Sequence, residues 1–133
     1  MYSSDRLKQK DNETFSFEIE KDRDFRILQL TDLHMGFGFL SRKKDRLAMT
    51  AIRTLIEETR PHMIVLTGDS TFPFLPKAGT LNNRRQAIKL MEFLDDFEIP
   101  YTLVFGNHDC EMGCVCSKRE LAELYKKGKY CIF

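Results

Sequence analysis

"MIVLTGDST", residues 63–71, places five largely apolar residues ahead of a glycine, a carboxylate and two hydroxyls. The first five are short, partly β-branched and lack a polar alternation. That is the pattern of a strand buried on both faces. Such strands belong to parallel sheets covered by helices. The polar residues begin at once, across Gly68. In an open parallel sheet, ligands bind just beyond the carboxyl ends of the strands. The stretch therefore predicts a fold and the place in it where chemistry would sit.

Working outward, helices and strands alternate. Residues 41–60, "SRKKDRLAMTAIRTLIEETR", predict a helix. Ser41 can cap it, Leu47, Ala51 and Leu55 with Ala48, Ile52 and Ile56 repeat along one face, and Pro61 follows its end. Residues 70–83 carry two prolines and a glycine and read as a loop. Residues 84–97 predict a second helix, with Ala87, Leu90, Met91 and Leu94 on its inner stripe. "YTLVF", 101–105, reads as a strand. Residues 117–128 predict a third helix, opened by a capping box of Ser117 and Glu120 and closed on Gly128. "KYCIF", 129–133, reads as the start of another strand.

Upstream, "FRILQL" (25–30) and "FSFEI" (15–19) predict two strands, as a hairpin or as neighbouring edge strands. Residues 1–13 are polar and are expected to be disordered. The order β-β-α-β-α-β-α-β implies an α/β fold with a mostly parallel or mixed sheet, flanking helices and right-handed crossovers, over residues 14–133.

Bulk composition narrows the function. The chain has 133 residues, enough for one modest domain, and 42% are hydrophobic, enough for a core. Lys and Arg number 21 against 20 acidic residues, so there is no electrostatic footprint for nucleic acid or an anionic membrane. Basic clusters such as "SRKKDR" read as the solvated face of the first helix. No apolar stretch approaches the roughly 20 residues of a membrane helix. The start, "MYSSDRLKQKDNETF", lacks the hydrophobic segment of a secretory signal. The expected location is the cytoplasm, with Cys110, Cys114, Cys116 and Cys131 as reduced thiols. A structural zinc on those cysteines is the alternative, although C-x3-C-x-C matches no common zinc spacing.

The chemistry-bearing residues follow three strands. Asp32 and His34 follow residues 25–30, Asp69 follows 63–67, and Asn107 follows 101–105 across Gly106. Three loops thus deliver carboxylates, an imidazole and an amide to one edge of the sheet. Asp32 and His34, two apart, point the same way in extended geometry. These are the ligands of an open catalytic site for Mn²⁺, Fe or Zn²⁺, harder than a structural zinc site would use. Asn107 is followed directly by His108 and Asp109, and an imidazole beside a carboxylate can be held in one tautomer.

"TDLHMG", "LTGDST" and "FGNHD" are similar to the first three signature blocks of the calcineurin-like metallophosphoesterases: D-x-H, G-D and G-N-H-D/E. The stretch from Leu90 to Glu111 and the residues after it resemble the branch related to purple acid phosphatases. The resemblance covers residues 25 to 133. It implies two face-to-face sheets with helices outside, a four-layer α/β/β/α sandwich, of which this chain holds about half. By position it implies that Asp32 and His34 bind a first metal, Asp69 bridges two metals and Asn107 binds the second. His108 would assist the leaving-group oxygen and Asp109 would orient His108. The implied activity is metal-dependent phosphoester hydrolysis by a metal-bridging hydroxide, on a small phosphoester or a phosphoprotein.

The family pattern continues with a further histidine and a G-H-x-H block. This chain has three histidines, and the remaining one, His62, precedes residues 63–67 where Asp69 follows them. Five residues of strand put it more than about 15 Å from the site. The expectation is therefore a partial site with weak or single metal occupancy. The chain would pair with a missing C-terminal half, or with itself through an exposed sheet edge, as a truncated enzyme or a non-catalytic module.

Overall fold

The computed structural model describes residues 7–133. Two sheets form. β1 (Leu7–Gln9) and β2 (Phe15–Phe17) make a small antiparallel pair, with Leu7 opposite Phe17. β3 (Ile27–Leu30), β4 (Met63–Thr67) and β5 (Tyr101–Val104) make a parallel sheet in that order. Between them run α1 (Arg42–Thr59), the short α2 (Leu75–Ala78) and α3 (Asn83–Asp95), and after β5 comes α4 (Lys118–Tyr125). The α/β class and the parallel pairing agree with the sequence reading.

Register explains the core. Leu28, Ile64 and Tyr101 lie side by side across the sheet, and so do Leu30, Leu66 and Leu103. These rows pack against Ile52 and Ile56 of α1, Ala87, Leu90, Phe93 and Leu94 of α3, and Leu121 and Tyr125 of α4. Each fully buried aliphatic side chain contributes roughly 1.5–3 kcal/mol, so this one cluster dominates the stability. The other face carries Gln29, Val65 and Thr102, with Ile27 and Val104 exposed. β4 is therefore buried on one face and half-buried on the other, a correction to the reading of burial on both.

Other corrections are local. Residues 7–13 are not disordered: Leu7–Gln9 pairs with Phe15–Phe17, while residues 1–6 lie outside the described residues. The strand at 15–17 pairs with this upstream segment and not with β3. On α1 the buried stripe is Asp45, Ile52 and Ile56, while Leu47 and Leu55 are exposed. Ser41 stands at the N-cap position but makes no cap bond; its hydroxyl donates to Asp45 Oδ2 at 2.7 Å. The loop at 70–83 contains α2, started by the proline in its first turn. Residues 129–133 form no strand, only a parallel bridge of Cys131 to Tyr101. The capping box on α4 is present, with Ser117 and Glu120 bonded reciprocally. Among the described residues no helix is long and apolar enough to cross a membrane.

Candidate metal centre

The loops leaving β3 and β4 stay together beyond the strand ends. Asp32 N donates to Gly68 O at 3.1 Å, His34 N to Asp69 O at 3.0 Å and Met35 N to Ser70 O at 3.0 Å. Phe72 N returns a bond to Met35 O at 3.1 Å. This ladder sets Asp32, His34 and Asp69 on one rim. All three have left-handed backbones, with φ of 53°, 47° and 50°. A non-glycine residue there costs on the order of 1–3 kcal/mol, and such strain clusters at functional sites.

The side chains converge on His34. Its Nε2 lies 3.8 Å from Asp69 Oδ2 and 3.9 Å from Asp32 Oδ1. Those separations are too long for hydrogen bonds. Two ligands each about 2.0–2.2 Å from one ion are themselves roughly 3–4 Å apart, so the spacing suits a shared cation. His34 Nε2 is buried and has no hydrogen-bond partner. Buried polar atoms are rarely left unpaired. A partnerless imidazole nitrogen facing two carboxylates fits a divalent metal. His34, Asp69 and His108 also bring ligand atoms within 4.8 Å of one another. Asp32 is the exposed member, its side chain 61% accessible against 14% for Asp69.

The loop after β5 docks on Asp69. His108 N donates to Asp69 Oδ1 at 2.8 Å, which leaves Oδ2 for the His34 side. Gly106 makes this approach possible: a Cβ there would lie 2.0 Å from Asp69 Oδ1. Gly68 adopts φ 110° and packs against Gly106. Asn107 is exposed at the start of the short 3-10 turn His108–Cys110.

Asp109 departs from its expected role of orienting His108. It is buried, with Oδ1 accepting from Thr71 N at 2.8 Å and Thr71 Oγ1 at 3.2 Å, and Oδ2 accepting from Gly106 N at 2.8 Å. It ties the β4 and β5 loops together. The carboxylate that pairs with His108 Nδ1 is Glu111, one helical turn on. The ring of His108 stands edge-on to His34 with centroids 5.2 Å apart, and Phe72 packs against both at 4.5 and 5.4 Å. Glu111 and Phe72 were missed in the sequence. The i, i+3 spacing of His108 and Glu111 was the available signal.

A second tier of buried polar side chains holds these loops. Asp45 of α1 accepts from Gly36 N at 3.0 Å and Phe37 N at 2.8 Å. Gln86 Nε2 of α3 donates to Gly36 O at 2.7 Å. Asn83 brackets Cys116, accepting from its N at 2.8 Å and donating to its O at 2.7 Å. His62 lies at the other end of β4, accepting from Arg26 N at 3.0 Å and stacked on Phe25.

The four cysteines are free. Cys110 and Cys114 bring their sulfurs to 3.1 Å, yet among the described residues the one metal-capable cluster is His34, Asp69 and His108. Burial pushes the thiols of Cys114 and Cys131 up to about 11.

The chain is similar to known proteins over most of its length. The chain is 31% identical over 121 residues to Probable inactive purple acid phosphatase 28 of Arabidopsis thaliana, covering 83% of this chain and 29% of that protein. It is 25% identical over 119 residues to Phosphatase DCR2 of Saccharomyces cerevisiae, covering 82% of this chain and 20% of that one. The chain spans less than a third of the length of these relatives. The crystal structure of Pseudomonas putida nuclease MPE superposes with a TM-score of 0.48 at 17% identity, covering 74% of this chain and 45% of that one. The profile of the calcineurin-like phosphoesterases matches residues 25–132, and with it the rim that carries Asp32, His34, Asp69 and His108; the chain belongs to that family.

Proposed function

We propose that this chain supplies the first part of a metal-dependent phosphoester hydrolase site, acting in the cytoplasm on a phosphomonoester or phosphodiester. The observation that carries the reading is the partnerless Nε2 of His34 facing Asp32 and Asp69. Those three side chains would hold a first Mn²⁺, Fe or Zn²⁺ ion. Asp69 and Asn107 would hold a second, for which this chain has too few donors. When bound, such cations supply Lewis acidity to the phosphoryl group and acidify water.

The chain's own residues do the rest. Asp69 divides its oxygens, one fixed by His108 N and one turned to His34. Glu111 accepts a hydrogen bond from His108 Nδ1, which leaves Nε2 as the ring nitrogen for the substrate. The protonated ring would then donate from Nε2 to the leaving oxygen. Phe72 packs against the two imidazoles.

Titration of the metal-free chain with Mn²⁺ tests this reading. One equivalent should bind, His34→Asn should abolish it, and p-nitrophenyl phosphate should turn over slowly. Two equivalents with robust turnover would refute the partial site. Binding indifferent to His34 would refute the site itself.

A second reading is a non-catalytic module that pairs through its sheet. What favours it is the uncovered face, with Ile27 and Val104 more than half exposed, and the relative named as probably inactive. A dimeric mass in solution, with no turnover in Mn²⁺, would support it over the enzyme.

A further inference from the structure

The groove between α1 and α3 gathers more positive charge than any fold requirement explains. It is an open groove of about 560 Å³. Arg42, Arg46 and Arg53 reach it from α1, and Arg85 faces them from the first turn of α3. The spacing of 42, 46 and 53 puts all three on one helical face. The "SRKKDR" cluster, read from sequence as a solvated face, thus divides: Arg42 and Arg46 form a wall.

Three of the four guanidinium groups have no ion-pair partner among the described residues. Arg53 stacks over Phe93 and Phe97 and comes within 4.0 Å of Asp96. Arg42, Arg46 and Arg85 make no ion pair with any described residue. The one acidic residue of the lining, Asp45, has its carboxylate occupied by Gly36 N, Phe37 N and Ser41 Oγ. The chain has 20 acidic residues to 21 basic ones, so guanidinium groups gathered without partners are a local feature and not a consequence of composition.

We propose that this groove binds a small polyphosphorylated ligand, at a site separate from the metal centre. Guanidinium forks match tetrahedral phosphate oxygens and are preferred to lysine where two bonds are made to one group. The groove's volume lies within the roughly 300–1,000 Å³ of small-molecule sites. Phe37 lines the groove and Phe39 stands at it 78% exposed, an apolar surface against which a non-phosphate portion can lie.

Calorimetric titration with tripolyphosphate, in buffer stripped of metal ions, tests the proposal. One equivalent should bind, and affinity should fall steeply with added salt. Arg42→Gln with Arg46→Gln should weaken binding by about tenfold or more. Arg85→Gln, on the opposite wall, gives an independent variant with the same expected direction. His34→Asn and Asp69→Asn should bind tripolyphosphate like the parent, which separates this site from the metal centre. Absence of binding at millimolar tripolyphosphate would overturn the proposal. So would binding that survives both sets of arginine changes, or that depends on His34 and Asp69.

Discussion

Nε2 of His34 sits 3.8 Å from Oδ2 of Asp69, inside the protein and with no hydrogen bond to anything. A shared proton would draw the pair to hydrogen-bond distance, so the gap fits a cation better. Asp69→Asn keeps an oxygen to accept from His108 N but removes the charge. Since outer partners of a metal ligand alone cost about 10–100-fold in affinity, loss of this ligand should weaken Mn²⁺ binding by at least about 100-fold. The metal-free melting temperature should barely move. A calorimetric titration beside a thermal melt distinguishes this from simple unfolding.

Gly106→Ala attacks the same carboxylate from the backbone. The added methyl would start 2.0 Å from Asp69 Oδ1 and 2.5 Å from Asp69 N. Neither strand end can yield easily, because Asp109 ties them. Overpacking of this kind costs typically about 1–3 kcal/mol. Urea denaturation should show a loss in that range, and Mn²⁺ binding should fall with it. A variant as stable as the parent, with metal affinity intact, would contradict the close packing of these loops.

Asp45 supports the site from outside it. Asp45→Ala would leave Gly36 N, Phe37 N and Ser41 Oγ without their acceptor. Bonds to a charged group contribute about 1.5–3 kcal/mol each and buried donors left bare cost more than the mean, so a loss of about 3 kcal/mol or more is expected. Asp45→Asn retains one acceptor oxygen and should lose about half of that. Urea midpoints of the two variants should rank in that order.

The residues expected at the site stand out in the sequence because their signals are local, and of them the structure brings Asp32, His34, Asp69 and His108 together. Asp32, Asp69 and Asn107 each follow an apolar strand, and two of them follow it across a glycine. The supporting tier was hidden because Asp45, Asn83 and Gln86 are polar residues on helices, where burial is the exception. Only the tertiary fold shows that they face loops in need of partners. The stripe of α1 was misplaced for a related reason. Leu47, Ala51 and Leu55 form as regular an apolar row as Ile52 and Ile56, but the sheet selects one row and leaves Leu47 and Leu55 in water. Asp109 was misassigned because adjacency along the chain suggested contact. In the 3-10 turn its side chain points into the fold, and Glu111 comes round to His108 instead.

Alkaline pH should destabilise the fold through the cluster around Tyr101. Burial pushes the Cys131 thiol up to about 11 from 9.0, and burial also raises the phenols of Tyr101 and Tyr125 above their usual 10.0. In each case the folded protein holds its proton more tightly than the unfolded chain. The stabilisation is thus complete below the unfolded pKa and is lost as pH rises through the folded one. For Cys131 that window runs from pH 9.0 to about 11, and the two tyrosines extend the decline upward from 10.0. Each group can contribute at most about 1.4 kcal/mol per pH unit. Urea midpoints measured by circular dichroism should be level from about pH 7 to about pH 8.5 and then fall with increasing steepness. Cys131→Ser, whose hydroxyl does not titrate there, should make the fall between pH 9.0 and about 11 shallower without removing it, because the Cys114 thiol is raised over the same window. A midpoint that stays level to about pH 11 would show that these groups are not held in their neutral forms by the fold.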